Sequence, residues 1–147
     1  MANTLTKTIP SRTDRLHEVR EFVSYAAREF GFNDEEIADI VLAVDEACTN
    51  VIKHAYNFAP DKDITVQILP ASGSFEIRVL DEGKAFNPES IKPPNLKQHL
   101  TEYRRGGLGV YLMKTLMDKV EYRFVPGKKN EVRLTKFLQR NPTSAAR

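Results

Sequence analysis

The chain has 147 residues, of which 41% are hydrophobic and 29% are charged. This length and composition predict one domain with its own core and exclude a disordered or membrane-spanning chain. The net charge of +2 gives no reason to expect a nucleic-acid partner. The single cysteine, Cys48, excludes an internal disulfide, and we expect it to be a small core residue. Because the N-terminus lacks a signal-peptide core, we expect a cytoplasmic protein without membrane contact.

A short strand and a long helix are predicted first. Alternating residues indicate a strand over residues 4–9, which Pro10 ends. Ser11 or Thr13 can cap the following helix, whose apolar stripe continues to about Phe30.

The second helix has the clearest boundaries. Gly31 closes the first helix, and Asn33 followed by Glu36 resembles a capping box that begins a helix through Ala55. The residues predicted to form its core side are Ile37, Ile40, Val41, Val44, Cys48, Val51, Ile52 and Ala55.

The remainder of the chain reads as two hairpins separated by a loop and a third helix. Alternation over residues 64–68 and 75–79 predicts a hairpin that turns through residues 70–73. Residues 81–105 read as a long loop, 108–119 as a helix, and 120–125 with 131–138 as a second hairpin. This order predicts a single domain over residues 1–140 with a frayed tail over 141–147. The expected class is α+β, a two-layer sandwich whose mostly antiparallel mixed sheet has helices on one face.

A polar row interrupts the second helix. Glu46, Asn50 and Lys53 fall together opposite the predicted core side, because residues three or four apart lie above one another on a helix. Either this is a solvated face, or it faces a ligand. Asparagine is a poor helix former, and Leu42 and Ala43 flank the row, which favours the ligand.

Two glycine motifs accompany this row. Asp81 follows a strand, where its carboxylate can accept hydrogen bonds from a planar amino-bearing ring, and Gly83 lets backbone approach closely. Alone, this motif is also a common turn. The second motif runs from Arg104 through Gly109 and opens a helix, where free N–H groups, glycines and the adjacent arginines favour an anion such as phosphate.

The order of Glu46-x-x-x-Asn50, Asp81-x-Gly83 and Gly107-x-Gly109 resembles the three boxes of the GHKL superfamily of histidine-kinase-like ATPases. Within it, the chain resembles the anti-sigma-factor serine/threonine-protein kinases of bacteria in the stretch Glu-Ala-Cys-Thr-Asn followed by His-Ala-Tyr, and in the stretch Gly-Gly-Leu-Gly-Val-Tyr-Leu-Met-Lys-Thr-Leu-Met-Asp. The resemblance spans roughly residues 9–138.

The resemblance implies a Bergerat-type ATP-binding fold with ATP and Mg²⁺ as cofactors. Glu46 would be the catalytic general base toward a serine hydroxyl, Asn50 would hold the metal, and Asp81 would bind the adenine amino group. The positions it implies for cofactor binding are Asn50, Lys53, Asp81, Gly83, Ala85, Arg105, Gly106, Gly107, Leu108 and Gly109.

The resemblance also implies partners. Such a kinase is a homodimer that binds a sigma factor and phosphorylates a STAS-domain anti-sigma-factor antagonist. Two alternatives stay open: an ATP-binding regulatory module without kinase activity, and a detached histidine-kinase ATP domain. For the second alternative the sequence lacks a dimerising helix pair with a phosphoacceptor histidine, since His17, His54 and His99 lie elsewhere.

The sequence departs from the family pattern in two places. Lys84 and Ala85 stand where many relatives have a second glycine. Asn130 and Glu131 stand at the start of a strand where the fold usually has glycine and threonine.

Overall fold

A computed structural model of the chain describes residues 3–86, 109–124 and 129–138, with the backbone alone described at 109–112. Its strands are β1 (Leu5–Pro10), β2 (Asp63–Ala71), β3 (Ser74–Asp81), β4 (Lys119–Arg123) and β5 (Asn130–Phe137). Its helices are α1 (Leu16–Phe30), α2 (Asp34–Asn50) and α3 (Gly109–Leu116). Within these described residues, no helix has the length and apolar composition needed to cross a bilayer. The predicted tail lies outside them.

The strands form one sheet in the order β1-β2-β3-β5-β4, and each neighbouring pair is antiparallel. Alternate side chains of the central strand β3, namely Phe75, Ile77 and Val79, are fully buried against the helices. Their neighbours Glu76 and Arg78 are only half-buried and pair with each other. The α+β sandwich with helices on one face is confirmed, and the sheet of the described residues is entirely antiparallel.

The first hairpin is longer and tighter than predicted. Pro70 lies inside β2 opposite Phe75, and the chain turns through only two residues, Ser72 and Gly73. Gly73 has φ +78°, a left-handed conformation that glycine adopts without steric cost. The predicted turn over residues 70–73 was too long, because a proline fits a strand position that requires no N–H donor.

The start of the first helix also corrects a prediction. A 3₁₀ turn, Thr13–Arg15, precedes α1, and neither N-cap position has a side-chain cap. The Ser11 hydroxyl donates to the Ala59 carbonyl and accepts from Lys62 N–H at 3.1 Å. Ser11 is therefore a buried link between the start of α1 and the loop before β2, and the prediction that it or Thr13 caps the helix was wrong.

The second helix begins as predicted and ends differently. Asn33 and Glu36 form both hydrogen bonds of the capping box, at 2.8 and 2.9 Å. Regular α-helix stops at Asn50, and the predicted last turn is instead a π-turn, Val51–Ala55. There the N–H of Tyr56 donates to the Val51 carbonyl at 2.9 Å. Wider turns of this kind occur often at functional sites.

Helix α2 lies at the centre of the molecule. It packs against α1 on one side and α3 on the other, and it also contacts β3 and β5. The predicted core side is buried except for half-buried Val41, and Ala43 and Ala47 on its other side are buried as well. Cys48 is fully buried, as predicted, and burial raises the pKa of its thiol to about 12. The helix therefore has less solvated surface than its sequence indicates.

The third helix and the last strands differ from the predictions by a few residues. Helix α3 ends at Leu116, and β4 already begins at Lys119. The side chain of Asp118 accepts a hydrogen bond from the N–H of Phe137 at 2.7 Å, and its own N–H donates to the Thr135 carbonyl at 2.9 Å. These bonds hold the helix end against β5, which stops the helix before Lys119.

Candidate functional site

Glu46 and Asn50 occupy successive turns of α2. Asn50 is only 5% exposed, and its amide nitrogen is buried without a hydrogen-bond partner. One carboxylate oxygen of Glu46, Oε2, is likewise buried without a partner. Buried polar atoms in folded proteins are nearly always hydrogen-bonded, so such an adjacent pair indicates groups held ready for a ligand. For Asn50 the interpretation as a solvated face is wrong, because α3 covers that side of α2.

The environment of Glu46 changes its acidity. Burial raises the pKa of this carboxyl, and the neighbouring charge of Asp45 raises it further, whereas Lys53 acts in the opposite direction. A carboxylate with a raised pKa is a stronger proton acceptor near neutral pH. The position of Glu46 therefore suits a general base.

Asp81 ends β3 in a buried network of hydrogen bonds. Its side chain is 4% exposed, and its Oδ1 accepts from Gly83 N–H at 2.8 Å and from the Asn130 amide at 2.9 Å. Burial raises the pKa of Asp81, and these two hydrogen bonds lower it. Two donors thus occupy one carboxylate oxygen, and the other remains able to accept from a ligand.

Gly83 lies directly against the end of α2. A Cβ atom at this position would lie 2.4 Å from the Ala55 carbonyl oxygen and 2.7 Å from the Tyr56 ring. The next residue, Lys84, donates its N–H to the same Ala55 carbonyl at 2.8 Å. The sequence predicted a glycine here for close approach to a ligand ring. The described contact is with the π-turn, which leaves no space for a side chain.

Tyr56 ties the same loop to β2. Its hydroxyl donates to the Asp63 carbonyl at 2.6 Å and accepts from Glu82 N–H at 2.9 Å. Burial raises the pKa of this hydroxyl, which therefore remains protonated as the first hydrogen bond requires. The sequence did not predict this role for Tyr56, although the residue lies within the His-Ala-Tyr stretch that carries the resemblance.

A pocket lies between α2, α3 and the end of the sheet. Its interior volume is about 10 Å³, roughly the space of one water molecule. The residues that line it are Ala47, Asn50, Val51, Asp81, Phe86, Met113, Tyr122, Phe124, Glu131 and Val132. Asn50 and Asp81, predicted from separate motifs, thus line one pocket.

A row of aromatic rings borders this pocket. The ring of Phe86 lies 5.3 Å from His54 and 5.7 Å from Phe124, which stacks on Tyr122 at 5.8 Å. Sequence analysis did not assign these aromatic residues to the site. The alternation of Tyr122 and Phe124 was the signal available, because residues two apart on a strand share a face. Phe86 and Phe124 are therefore placed to contact a planar ligand in this pocket.

The remaining predicted positions have mixed outcomes. Gly109 is the first residue of α3, whereas Arg105, Gly106, Gly107 and Leu108 lie outside the described residues. Lys53 is half-buried and acts electrostatically on Glu46, and Ala85 is exposed beside the pocket residue Phe86. The structure thus places Asn50 and Asp81 in one pocket, with Glu46 one turn before Asn50 on α2 and Gly83 bonded to Asp81, and their functional roles remain predictions.

The residues present fit an adenine nucleotide with Mg²⁺. Asp81 offers a carboxylate acceptor for an amino group, and Asn50 offers a buried side-chain amide whose oxygen can ligate a metal and whose nitrogen has no hydrogen-bond partner among the described residues. Among the described residues, no group of three or more His, Cys, Asp or Glu side chains is placed to hold a metal. Mg²⁺ typically shares few protein ligands with substrate phosphates and water, so a single amide ligand is compatible with it.

Comparison with known proteins gives a consistent family. Residues 9–136 match the histidine kinase-like ATPase domain. The serine-protein kinase RsbW of Halalkalibacterium halodurans is 36% identical over 142 residues, covering 94% of this chain and 85% of that protein. The serine-protein kinase RsbW of Bacillus pumilus is 37% identical over 138 residues, covering 90% and 84%.

Solved structures share the fold. The RsbU and RsbW domains of a Mycobacterium tuberculosis protein superpose with a TM-score of 0.68 at 21% identity, covering 95% of this chain and 33% of that one. The SiaB-SiaC complex from Pseudomonas aeruginosa gives a TM-score of 0.64 at 16% identity, covering 89% of this chain and 88% of that one.

Proposed function

The chain belongs to the histidine kinase-like ATPase family, among its anti-sigma serine kinases, and from that premise we propose that it transfers the γ-phosphoryl group of ATP to a serine of a partner protein. The observation that carries the proposal is the buried pair on α2. Glu46 and Asn50 have polar atoms without partners, and Asn50 shares a pocket with Asp81. Relatives named serine-protein kinase support the choice of acceptor.

The adenine end of the nucleotide is assigned to Asp81. Its second carboxylate oxygen would accept a hydrogen bond from the exocyclic amino group, while Phe86 and Phe124 contact the flat ring. An ionised acceptor in a buried site gives a stronger hydrogen bond than a neutral one. This arrangement selects a purine with an amino group.

The phosphate end is assigned to Asn50 and the start of α3. The amide oxygen of Asn50 would hold Mg²⁺, which when bound neutralises phosphate charge. Phosphate oxygens would accept hydrogen bonds from backbone N–H groups of Gly106, Gly107, Leu108 and Gly109. The guanidinium of Arg105 would bind the same oxygens. Lys53 and Ala85 are proposed to border the nucleotide.

Glu46 is assigned the proton transfer. Its carboxylate accepts the proton of the serine hydroxyl as that oxygen forms a bond to the γ-phosphorus. The bond from the γ-phosphorus to the β–γ bridging oxygen breaks, and ADP leaves with the electron pair. The raised pKa of Glu46 supports this role, because a general base works best when its pKa is closer to neutral pH.

The partners follow from the family. We propose that a homodimer in the cytoplasm binds a sigma factor and phosphorylates a STAS-domain antagonist, so that the two partners compete for it. One domain over residues 1–140 suffices for this function, with the tail over 141–147 outside it.

The kinase proposal is tested by phosphate transfer. The protein is mixed with a STAS-domain antagonist from the same genome, Mg²⁺ and γ-labelled ATP. Replacing Glu46 with Gln should lower the transfer rate by at least about 100-fold, because it removes the proton acceptor. The dissociation constant for ADP should change less than about threefold, because Glu46 does not hold the base.

The matched control is Glu35→Gln, the same change at an exposed position in the first turn of α2. It should leave both the rate and ADP binding unchanged. Full transfer in Glu46→Gln would remove the general-base assignment. ADP binding without transfer to any STAS-domain protein would favour the regulatory binding module. Acid-labile phosphate on the protein itself would favour the histidine-kinase domain.

A further inference from the structure

The buried side chain of Asn130 has no role in the function described so far. It begins β5 directly opposite Asp81, the last residue of β3, so both side chains lie on the helix-covered face of the sheet. Asn130 is 4% exposed. Its neighbour Glu131 pairs with Arg133 in the alternate, half-buried set of β5 side chains. Of the two residues at this strand start, Asn130 is therefore the one that reaches the network of Asp81.

The amide of Asn130 makes two hydrogen bonds from one nitrogen. Nδ2 donates to Asp81 Oδ1 at 2.9 Å and to the Gly83 carbonyl at 2.9 Å. A primary amide has two N–H bonds in one plane, so this pair of acceptors fixes the orientation of the side chain. A threonine or serine has one O–H and cannot satisfy both acceptors together.

The loop after β3 is consequently held from three directions. Asn130 bonds it to β5, Lys84 N–H bonds it to the end of α2, and Tyr56 accepts from Glu82 N–H. Within the loop, Gly83 N–H also donates to Asp81 Oδ1. Because Oδ1 already accepts two hydrogen bonds, its rotation toward a ligand would break both of them.

We propose that Asn130 is the positioning residue for base recognition: by fixing Asp81 Oδ1 and the Gly83 carbonyl, it leaves Asp81 Oδ2 as the acceptor for the 6-amino group of adenine. This inference rests on the proposed function, since it concerns the same nucleotide site. It adds a residue that determines specificity for the base and does not touch the phosphates. The hydrogen bond from Asn130 also opposes the burial that raises the pKa of Asp81, and so favours the ionised form of this acceptor.

The proposal is tested by comparing ADP with inosine diphosphate, whose 6-oxo group cannot donate to a carboxylate. Dissociation constants with Mg²⁺ are measured by calorimetry for the wild type and for Asn130→Leu. Asn130→Leu should weaken ADP binding by about 10- to 100-fold, the range for one hydrogen bond to a charged group, and should weaken inosine diphosphate binding much less. The preference for ADP should therefore fall by at least about tenfold.

The control is Thr135→Val, a nearly isosteric change at another buried polar position of β5. It should leave the preference for ADP unchanged. If Asn130→Leu is folded and weakens both nucleotides equally, Asn130 is merely structural and the proposal is wrong. If the wild type binds neither nucleotide, the proposed function fails before Asn130 is tested.

A second variant, Asn130→Asp, covers the case in which the leucine variant does not fold. Two adjacent buried carboxyls share a proton at low pH and repel each other when both are ionised. When the pH is raised from about 5 to about 8, the ADP affinity of Asn130→Asp should therefore fall. The factor of this fall should be at least about ten times the factor for the wild type. Glu82 and Tyr56, the other titratable groups that act on Asp81 or are acted on by it, are the same in both proteins. Parallel pH profiles for the two proteins would overturn the proposal.

Discussion

At the scale of single residues, the site keeps polar groups that the folded protein does not satisfy. Glu46 and Asn50 each have a buried atom without a hydrogen-bond partner, although both lie on α2, which packs against α1, α3 and the sheet. Leaving such atoms unpaired costs stability, and proteins tolerate this cost mainly at functional sites. Replacing these residues should therefore impair function without lowering stability.

Replacing Glu46 with Gln should stabilise the protein without nucleotide at neutral pH. The folded pKa of Glu46 lies above its unfolded value, so its ionised form destabilises the fold once pH exceeds that unfolded value. Because the group is partly solvated, the gain at pH 7 should be modest, an increase in Tm on the order of 2 °C. It should disappear as pH falls to about 4, where the glutamate is protonated in the unfolded chain too.

Thermal unfolding followed by circular dichroism from pH 4 to pH 8 measures this difference. Glu21→Gln, the same change at an exposed position inside α1, is the control, and its Tm should follow the wild type throughout. A Tm of Glu46→Gln below that of the wild type at pH 7 would mean that the carboxylate stabilises the fold, contrary to its environment in this structure.

At the scale of elements, the end of α2 determines where the loop after β3 can lie. The π-turn Val51–Ala55 directs the Ala55 carbonyl toward Lys84 N–H, and only a residue without a side chain fits at Gly83 between them. The helix that carries Glu46 and Asn50 is thereby joined directly to the loop that carries Asp81. A change at this contact should affect both stability and nucleotide binding.

Gly83→Ala should lower the free energy of unfolding by about 1–3 kcal/mol, because its Cβ meets backbone that cannot move without cost. ADP affinity should fall at least about tenfold, since the Asp81 loop must shift. Urea unfolding and calorimetry measure the two effects.

Gly73→Ala is the matched comparison. A Cβ added at Gly73 would meet open space, but the residue has a positive φ. Alanine should therefore lower the free energy of unfolding by about 1–2 kcal/mol through the left-handed backbone alone. Its ADP affinity should be unchanged, because the hairpin turn is remote from the pocket residues. Equal ADP binding by both alanine variants would show that the contact of Gly83 with α2 does not position the site.

At the scale of the whole molecule, the proposed nucleotide site draws on three parts of the fold. Helix α2 contributes Asn50, the end of β3 contributes Asp81, and the residues around β4 and β5 contribute aromatic and aliphatic walls. Phe86, Tyr122 and Phe124 lie in this lining, so a bound base would contact them. Binding should therefore stabilise these separate parts together.

Mg²⁺ with ADP at about 100 times its dissociation constant should stabilise the folded protein by about 2.7 kcal/mol. For a chain of this size the increase in Tm should be about 5–10 °C. Asn50→Ala should remove the part of this increase that depends on Mg²⁺. It should leave the Tm without nucleotide within about 3 °C of the wild type, because no hydrogen bond of the Asn50 amide nitrogen is lost.

Thermal scans with ADP, with and without Mg²⁺, test this prediction, and Asn57→Ala provides an exposed asparagine as the control. Asn57 has a positive φ, so its own Tm without ligand can fall, but its response to Mg²⁺ should match the wild type. An Asn50→Ala protein with the full response to Mg²⁺ would remove the metal assignment.

The sequence by itself determined the features that depend on local periodicity and capping. The 3.6-residue period of α2, its capping box and the alternation in β2 and β3 each predicted an element that the structure confirms. The order of the motifs indicated the family, because each motif places one chemical group at the end of a predictable element. It predicted Glu46, Asn50, Asp81 and Gly83 as a set, and the structure places two of them, Asn50 and Asp81, in one pocket.

Only the tertiary structure decided which surfaces are covered and which polar groups have partners. Burial of Asn50 depends on α3, and the role of Asn130 depends on the register of β3 with β5 across 49 residues of chain. The contact of Gly83 with Ala55 and the aromatic row across the pocket arise in the same way. Periodicity within one segment cannot predict such contacts, because they are set by how separate segments pack against each other.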